Sequence, residues 1–297
     1  MRRIALVLLL MLVLAAAGLA EAERITYRDY GGKLTVSADA EYIDLGKLKV
    51  ERFDDFAAFL QKLPELKKVD MFTTHMFTKQ ARRLSEQFPQ IEFGWTVHFG
   101  DHAVRTDQVV FSTLHDGVMR RHTSEQMEVL RYCRSLRALD LGHNELTDIS
   151  FLADLSELRL LILADNEIED LSPLAGLDKL EYLELFDNRV TSFKPLTGLK
   201  NLMDINAAQN SVTDLAPLED MPWLKRLWSR DCGDESAVND TALEALRAAL
   251  VNTQIDAASL GTEGGWRLHP HYDVLFQMFK GTQYIPFEDS YTEEKSL

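Results

Sequence analysis

Glycine and proline are scarce in this chain of 297 residues, with 15 and 8 copies, and cysteine occurs only twice. So little glycine and proline excludes a collagen-like chain. A hydrophobic content of 46% beside 27% charged residues excludes a wholly disordered chain and is enough for a sizeable core.

Basic residues are outnumbered by acidic ones. The chain has 32 Lys plus Arg and 47 Asp plus Glu, which gives a formal net charge of −15. Nucleic acid and anionic membranes are therefore poor partners, since neutralising phosphates requires a basic surface. Residues 135–230 alone hold 17 acids and nine bases. Such an excess is typical of a solvated surface, and its functional alternative is attraction of a basic partner.

Only one long apolar run is present, from Ile4 to Ala17. Two arginines precede it and small residues follow it, which is the pattern of a secretory signal peptide over residues 1–20. The run is shorter than the roughly 20 residues that a membrane helix needs, although an uncleaved N-terminal anchor is the alternative. We expect cleavage after Ala20 or Ala22, export to the periplasm, cell surface or medium, and no stable membrane insertion of the mature chain.

A period of 22 residues organises the middle of the chain. Asparagine occupies one position of the period and cysteine takes the next step, at Asn144, Asn166, Asn188, Asn210 and Cys232. Leucine keeps the same period in further columns, such as Leu136, Leu158, Leu180, Leu202 and Leu224. Each Leu-x-Leu predicts a short strand with its leucines turned inward. Prolines in three return legs favour short turns or 3₁₀ segments over long helices.

The asparagines are expected to turn inward where each strand ends, because their amides can pair with backbone groups that no sheet ladder satisfies. Stacked units then form a structural asparagine ladder whose last position is Cys232. Cys133 lies four or more strand spacings away, or about 19 Å at roughly 4.8 Å a strand. That distance is too long for a disulfide, so we predict two free, buried thiols.

The repeat unit L-x-x-L-x-L-x-x-N-x-[LIV] resembles the leucine-rich repeat in its 22-residue, internalin-like form. The phrases Leu139–Asn144 and Trp266–Tyr272 are similar to those of secreted bacterial leucine-rich repeat proteins. The resemblance implies an α/β solenoid, with a curved parallel sheet, short 3₁₀ or helical return legs and helical terminal caps. It also implies export.

The pattern divides the chain into six segments. They are a signal peptide (1–20), an N-terminal extension (21–41), atypical longer repeats with an irregular insertion at 100–126 (42–134), internalin-like leucine-rich repeats (135–234), a terminal capping unit (235–257), and a linker, C-terminal helix and polar tail (258–297). The C-terminal helix is predicted from Pro270 to Phe279, with Tyr272, Leu275, Phe276 and Phe279 along one side.

The outward positions of the predicted strands form a concave face whose side chains do not pack in the core. This face is the usual ligand surface of a solenoid. Side chains typical of interface anchors occur there. They are Tyr182, Glu184, Phe186, Arg226, Trp228 and Arg230. We predict a non-enzymatic module that binds a protein partner through these residues. The alternatives are an intramolecular role beneath the C-terminal helix and glycan binding through the aromatic side chains.

An enzymatic alternative rests on two groups of histidines. His98, Asp101 and His102 lie within five residues, and His269 and His271 are two apart. A hydrolytic or metal-dependent enzyme would use the histidines of segment 98–105 or of the C-terminal segment. The expected strand does not place His98 and His102 together, and the sequence lacks the G-x-S-x-G, H-E-x-x-H and phosphate-loop motifs. We therefore predict no catalytic residue, no bound metal and no cofactor.

Overall fold

The computed structural model describes residues 23–74, 76–114, 120–233, 240–258 and 265–286, with the backbone alone at 265 and 266. The predicted signal peptide and the polar tail after residue 286 lie outside the described residues. The chain forms two compact units, Met1–Thr96 and Val97–Leu297.

The first unit combines a hairpin with a small parallel sheet. Strands β1 (Arg24–Asp29) and β2 (Gly32–Ser37) are antiparallel, while β3 (Tyr42–Asp44), β4 (Lys68–Asp70) and β5 (Glu92–Gly94) are parallel neighbours. Helices α1 (Phe53–Leu60) and α2 (Thr78–Gln87) connect the parallel strands. The middle residue of each parallel strand is buried, at Ile43, Val69 and Phe93, as the alternation of side chains along a strand requires. The first unit therefore consists of strand-helix repeats.

The second unit is built on a seven-stranded parallel sheet whose strand order follows the chain. Its strands are β8 (Val110–Ser112), β9 (Ala138–Asp140), β10 (Leu160–Ile162), β11 (Tyr182–Glu184), β12 (Asp204–Asn206), β13 (Arg226–Trp228) and β14 (Gln254–Asp256). Strands β9 to β13 begin 22 residues apart and pair in register, so that Leu139, Leu161 and Leu183 are direct neighbours. The predicted fold class, an α/β leucine-rich repeat solenoid, is confirmed.

Short 3₁₀ segments return the chain between these strands, at Ser150–Asp154, Ser172–Leu174, Lys194–Leu196 and Ala216–Asp220. Proline stands within the first two positions of the last three segments, where its missing N–H costs no hydrogen bond. Leucines of the strands and return legs fill the interior between the two sides of each turn. One turn alone has nothing to cover these leucines, so each turn is stabilised by its neighbours.

An asparagine closes each of four strand ends. The Asn166 amide nitrogen donates to the carbonyls of Leu141 and Leu163, both at 3.0 Å, and its oxygen accepts from the Leu146 N–H at 3.0 Å. Asn188 makes the same bonds one turn later. The residue before each ladder position has a left-handed backbone, with φ between 51° and 60°, at His143, Asp165, Asp187, Gln209 and Asp231. This geometry turns the asparagine inward.

Both cysteines are free and fully buried. Burial raises the pKa of the Cys133 and Cys232 thiols to about 12, so both are protonated at neutral pH. They pack as small apolar side chains.

The predicted irregular insertion, residues 100–126, contains regular elements. A hairpin of β6 (Thr96–Phe99) and β7 (His102–Arg105) precedes β8, and helix α3 (Ser124–Met127) follows β8. Strand β8 begins 28 residues before β9, so it lies off the 22-residue period. Because of this spacing, the 22-residue pattern does not predict β8.

Two helices follow the repeats: α4 (Asp240–Ala249), which leads into β14, and α5 (Pro270–Gly281). Pro270 occupies the first turn of α5, and Thr282 ends it in a left-handed conformation with φ 53°. Among the described residues, no helix has the length and apolar character required to cross a bilayer.

Candidate functional site

The first and third residues of strands β8 to β13 point away from the leucine core, and we call this surface the outer strand face. It consists of Val110, Ser112, Ala138, Asp140, Leu160, Ile162, Tyr182, Glu184, Asp204, Asn206, Arg226 and Trp228. The first residues of β8 to β11 are apolar or aromatic, although they lie outside the leucine core. Such a row needs a cover.

Helix α5 supplies that cover. Leu275 and Met278 are 1% and 0% exposed, and they form one buried cluster with Val110, Ala138, Leu160 and Tyr182. The two helix residues are three positions apart and therefore lie on one side of the helix. The apolar half of the outer strand face is thus a packed interface within the chain.

A buried charged group fixes the other half of the helix. Asp204 on β12 accepts from Arg226 Nε at 2.5 Å and contacts His271 Nδ1, on the first turn of α5, at 2.7 Å. All three residues are buried. Charges removed from water need good pairing, so this arrangement sets the position of α5 along the strands.

The predicted exposure of the binding face is wrong for four of its six residues. Tyr182, Glu184, Arg226 and Trp228 are only 2–6% exposed. The physical reason is the apolar row at Val110, Ala138 and Leu160, which is more stable under a helix than in water. The burial of these four side chains instead fits the alternative of an intramolecular role. Phe186 and Arg230 are half-buried, and Arg230 donates to the Ala258 carbonyl at 3.0 Å.

The inward side of α5 also differs from the prediction. The expected stripe held Tyr272, Leu275, Phe276 and Phe279, whereas the buried residues are His271, Leu275 and Met278. Phe276 is instead 59% exposed. The pairing of His271 with Asp204 turns the helix so that Phe276 faces outward.

Besides Asp204, two further buried acids, Asp140 and Glu184, lie on the outer strand face. Burial and, to a lesser extent, the nearby Asp140 charge raise the pKa of Glu184 to about 8, although a hydrogen bond from the Tyr182 hydroxyl at 3.2 Å acts to lower it. Burial also raises the pKa of Asp140, which accepts from Ser112 Oγ at 2.8 Å and from the Gly142 N–H at 3.0 Å. Glu184 is therefore mostly protonated at neutral pH.

A groove remains open beside the helix. A cavity of about 400 Å³ lies between α5 and strands β8 to β10, lined by Ser112, Leu114, Asp140, Ile162, Tyr272, Leu275, Phe276, Phe279 and Lys280. We call it the α5 groove. A second cavity of about 320 Å³ shares Ser112 and Phe279 with it and reaches Asp101 and His102. An apolar cleft with few polar groups is the usual form of a binding site.

The histidines fall into two clusters. His102 and Asp101 lie with His122, which precedes α3, and each offers a ligand atom within 4.8 Å of the others. His269 and His271 lie with Asp204 in the same way. His98 is exposed and belongs to neither cluster. Burial lowers the pKa of His122, and the neighbouring His102 lowers it further.

One family model matches part of the repeat region. A family model described as Leucine Rich repeats (2 copies) matches residues 134–176. These residues contain β9, β10 and the return legs that follow them. A search of curated proteins finds no match.

Similar solved structures come from two bacteria. An internalin from Listeria monocytogenes is 19% identical with a TM-score of 0.44, over 69% of this chain and 66% of that one. Internalin C2 from the same species is 22% identical with a TM-score of 0.41, over 75% and 85%. A leucine-rich repeat protein from Leptospira interrogans is 20% identical with a TM-score of 0.45, over 73% and 54%. The chain thus spans less than two thirds of the first and third of these structures.

Sequence reasoning missed Asp204 and His122, and it placed Phe276 on the apolar side of the C-terminal helix, whereas Phe276 is exposed. Asp204 is the neighbour of Arg226 in the 22-residue register, so their pairing across two strands had a sequence signal. The contact of Asp204 with His271 spans 67 residues and had none. His122 lies twenty residues after His102, far beyond the short spacings within ligand pairs that are typical of structural zinc sites.

Proposed function

We propose that this chain is an exported, non-enzymatic protein-binding module whose partner binds the α5 groove. The observation that carries the proposal is Phe276, a large aromatic side chain 59% exposed on a helix that is itself firmly packed. A rigid exposed aromatic beside an apolar cleft is the usual anchor of a protein interface. The leucine-rich repeat fold, which commonly binds proteins, supports the same conclusion.

The surroundings of the groove indicate the chemistry of the partner. Ile162 and Phe279 would receive an apolar side chain of the partner. The Asp140 side chain would accept a hydrogen bond from a polar group of the partner. The excess of acids in residues 135–230 favours a partner with a basic rim. Phe186 and Arg230 are half-buried and lie two residues beyond the ends of β11 and β13, so they extend the surface past these strands.

The test compares two exposed apolar residues. The mature chain is used to capture proteins from its native surroundings. The affinity of each captured protein is then measured for the unmodified chain and for the Phe276→Ala variant. Loss of a central aromatic anchor is expected to weaken binding by about tenfold or more. Val251→Ala, at a position 78% exposed and absent from the groove lining, is the matched control and keeps the affinity. Equal affinities for the two variants would contradict the proposal.

A further inference from the structure

Two histidines and a carboxylate converge beside the β6–β7 hairpin. The Asp101 Oδ1 and His102 Nε2 atoms are 3.9 Å apart, and the ligand atom of His122 completes a triangle with no side longer than 4.8 Å. Bonds of about 2.0–2.2 Å to zinc place tetrahedral ligand atoms about 3.3–3.5 Å apart. Movements of about 1 Å therefore suffice to close the triangle around an ion.

His122 carries the main observation. Its side chain is 4% exposed, and among the described residues its Nε2 atom has no hydrogen-bond partner. A buried polar nitrogen without a partner is unfavourable, and a bound metal ion would satisfy it.

The backbone holds His122 in place. Its N–H donates to the ladder amide oxygen of Asn144 at 2.8 Å, and its carbonyl accepts from the Glu145 N–H at 3.0 Å. Gly100 leaves space for the ring, because a Cβ atom there would lie 2.4 Å from His122 Cε1. The rings of Phe99 and Phe111 pack around the pair of histidines. The ring position is thus built into the fold.

We propose that Asp101, His102 and His122 bind a divalent transition-metal ion of the zinc class, with water as the remaining ligand. Two imidazoles and one carboxylate match the donor preference of such ions. Asp101 and His102 also line the cavity of about 320 Å³, which gives the ion an entry path and the water its place. The ion supplies the missing partner of His122 Nε2.

Arg120 opposes the ion and provides a diagnostic variant. Its guanidinium forms an ion pair with Asp101, and its side chain is 49% exposed, so it can withdraw into solvent. Arg120→Ala removes both the competition for Asp101 and a neighbouring positive charge. This variant is expected to bind the metal more tightly than the unmodified chain.

The second cluster is a weaker metal site on physical grounds. Its carboxylate, Asp204, is already paired with the buried guanidinium of Arg226 and with His271. An ion there would have to compete with a cation whose side chain is only 8% exposed. This cluster therefore serves as a control.

The experiment measures Zn²⁺ affinity of the chelator-treated full chain by competition with a chromophoric chelator. One ion per chain is expected. Because an outer-sphere change already costs about 10–100-fold in affinity, His102→Ala is expected to weaken binding by at least about 100-fold. His98→Ala, an exposed histidine on the same hairpin, leaves the affinity unchanged. Visible absorption of bound Co²⁺ is expected in the unmodified chain and lost in His102→Ala.

His122→Ala is expected to abolish binding as well. If His122→Ala does not fold, the test relies on His102→Ala, since His102 is partly exposed. Thermal melting verifies that His102→Ala folds. Failure of the unmodified chain to bind Zn²⁺, or undiminished binding by His102→Ala, would overturn the proposal. Loss of binding in His269→Ala together with retention in His102→Ala would also overturn it and assign the ion to the second cluster. Partner capture by the α5 groove is measured separately.

Discussion

Each ladder asparagine carries more backbone hydrogen bonds than any other single side chain of its turn. Asn188 donates to the carbonyls of Leu163 and Leu185 and accepts from the Ile168 N–H. Its removal leaves the buried Ile168 N–H without this partner, at a cost of about 1–3 kcal/mol. It also takes one of two donors from each carbonyl, since Leu163 still accepts from Asn166 and Leu185 from Asn210.

We expect Asn188→Ala to lower the free energy of unfolding by about 3 kcal/mol, measured by urea denaturation. The adjacent Arg189→Ala is the control. Arg189 forms an exposed ion pair with Glu167, so its removal is expected to change the free energy by less than about 0.5 kcal/mol. A similar small loss for both variants would refute the structural role of the ladder.

Glu184 makes stability depend on pH in a direction opposite to that of most acids. Burial and the Asp140 charge raise its pKa from 4.5 to about 8 in the folded chain. As the pH rises from about 4.5 to 8, the unfolded chain releases this proton first, so the free energy of unfolding decreases.

Glu184→Gln removes the titrating group and keeps the shape of the side chain. Between pH 5 and pH 9, the free energy of unfolding of the unmodified chain is expected to fall by an amount on the order of 3–5 kcal/mol because of Glu184. The variant is not expected to show this decrease. Urea denaturation of both chains across this range measures the difference. Parallel stability curves would show that Glu184 is ionised and solvated in the folded chain.

At the scale of elements, helix α5 is held by its inward side. Leu275 is 1% exposed among Val110, Ala138, Leu160 and Tyr182, whereas its neighbour Phe276 is 59% exposed. Leu275→Ala is expected to cost about 3 kcal/mol through the cavity that it leaves. Phe276→Ala should leave stability nearly unchanged, and thermal melting of both variants measures the contrast. Equal losses would mean that the helix does not pack as described.

The elements differ in how far the sequence could predict them. Strands β9 to β13 follow from the 22-residue period, because each turn buries its leucines against immediate neighbours. Strand β8 and the docking of α5 could not be predicted in this way. They depend on a spacing outside the period and on the contact of Asp204 with His271 across 67 residues. The apolar outward residues Ala138 and Leu160 were the available sign that a cover exists.

At the scale of the whole molecule, helix α5 of the second unit packs on the strand face that a solenoid otherwise offers to ligands. The outer strand face of a solenoid is free for recognition only when nothing packs on it. Here α5 covers the first residues of β8 to β13, from Val110 to Arg226. The proposed binding site is therefore the α5 groove, whose walls are the helix and the part of the face that remains uncovered.

Hydroxyl-radical footprinting of the intact chain tests this covering most directly. The oxidation rates of Tyr182, Trp228 and Phe276 are each divided by the intrinsic rate of the free amino acid. The account predicts strong protection of Tyr182 and Trp228, which are 2% and 4% exposed, and little protection of Phe276. Oxidation of Tyr182 and Trp228 at the normalised rate of Phe276 would show an open strand face and contradict the account.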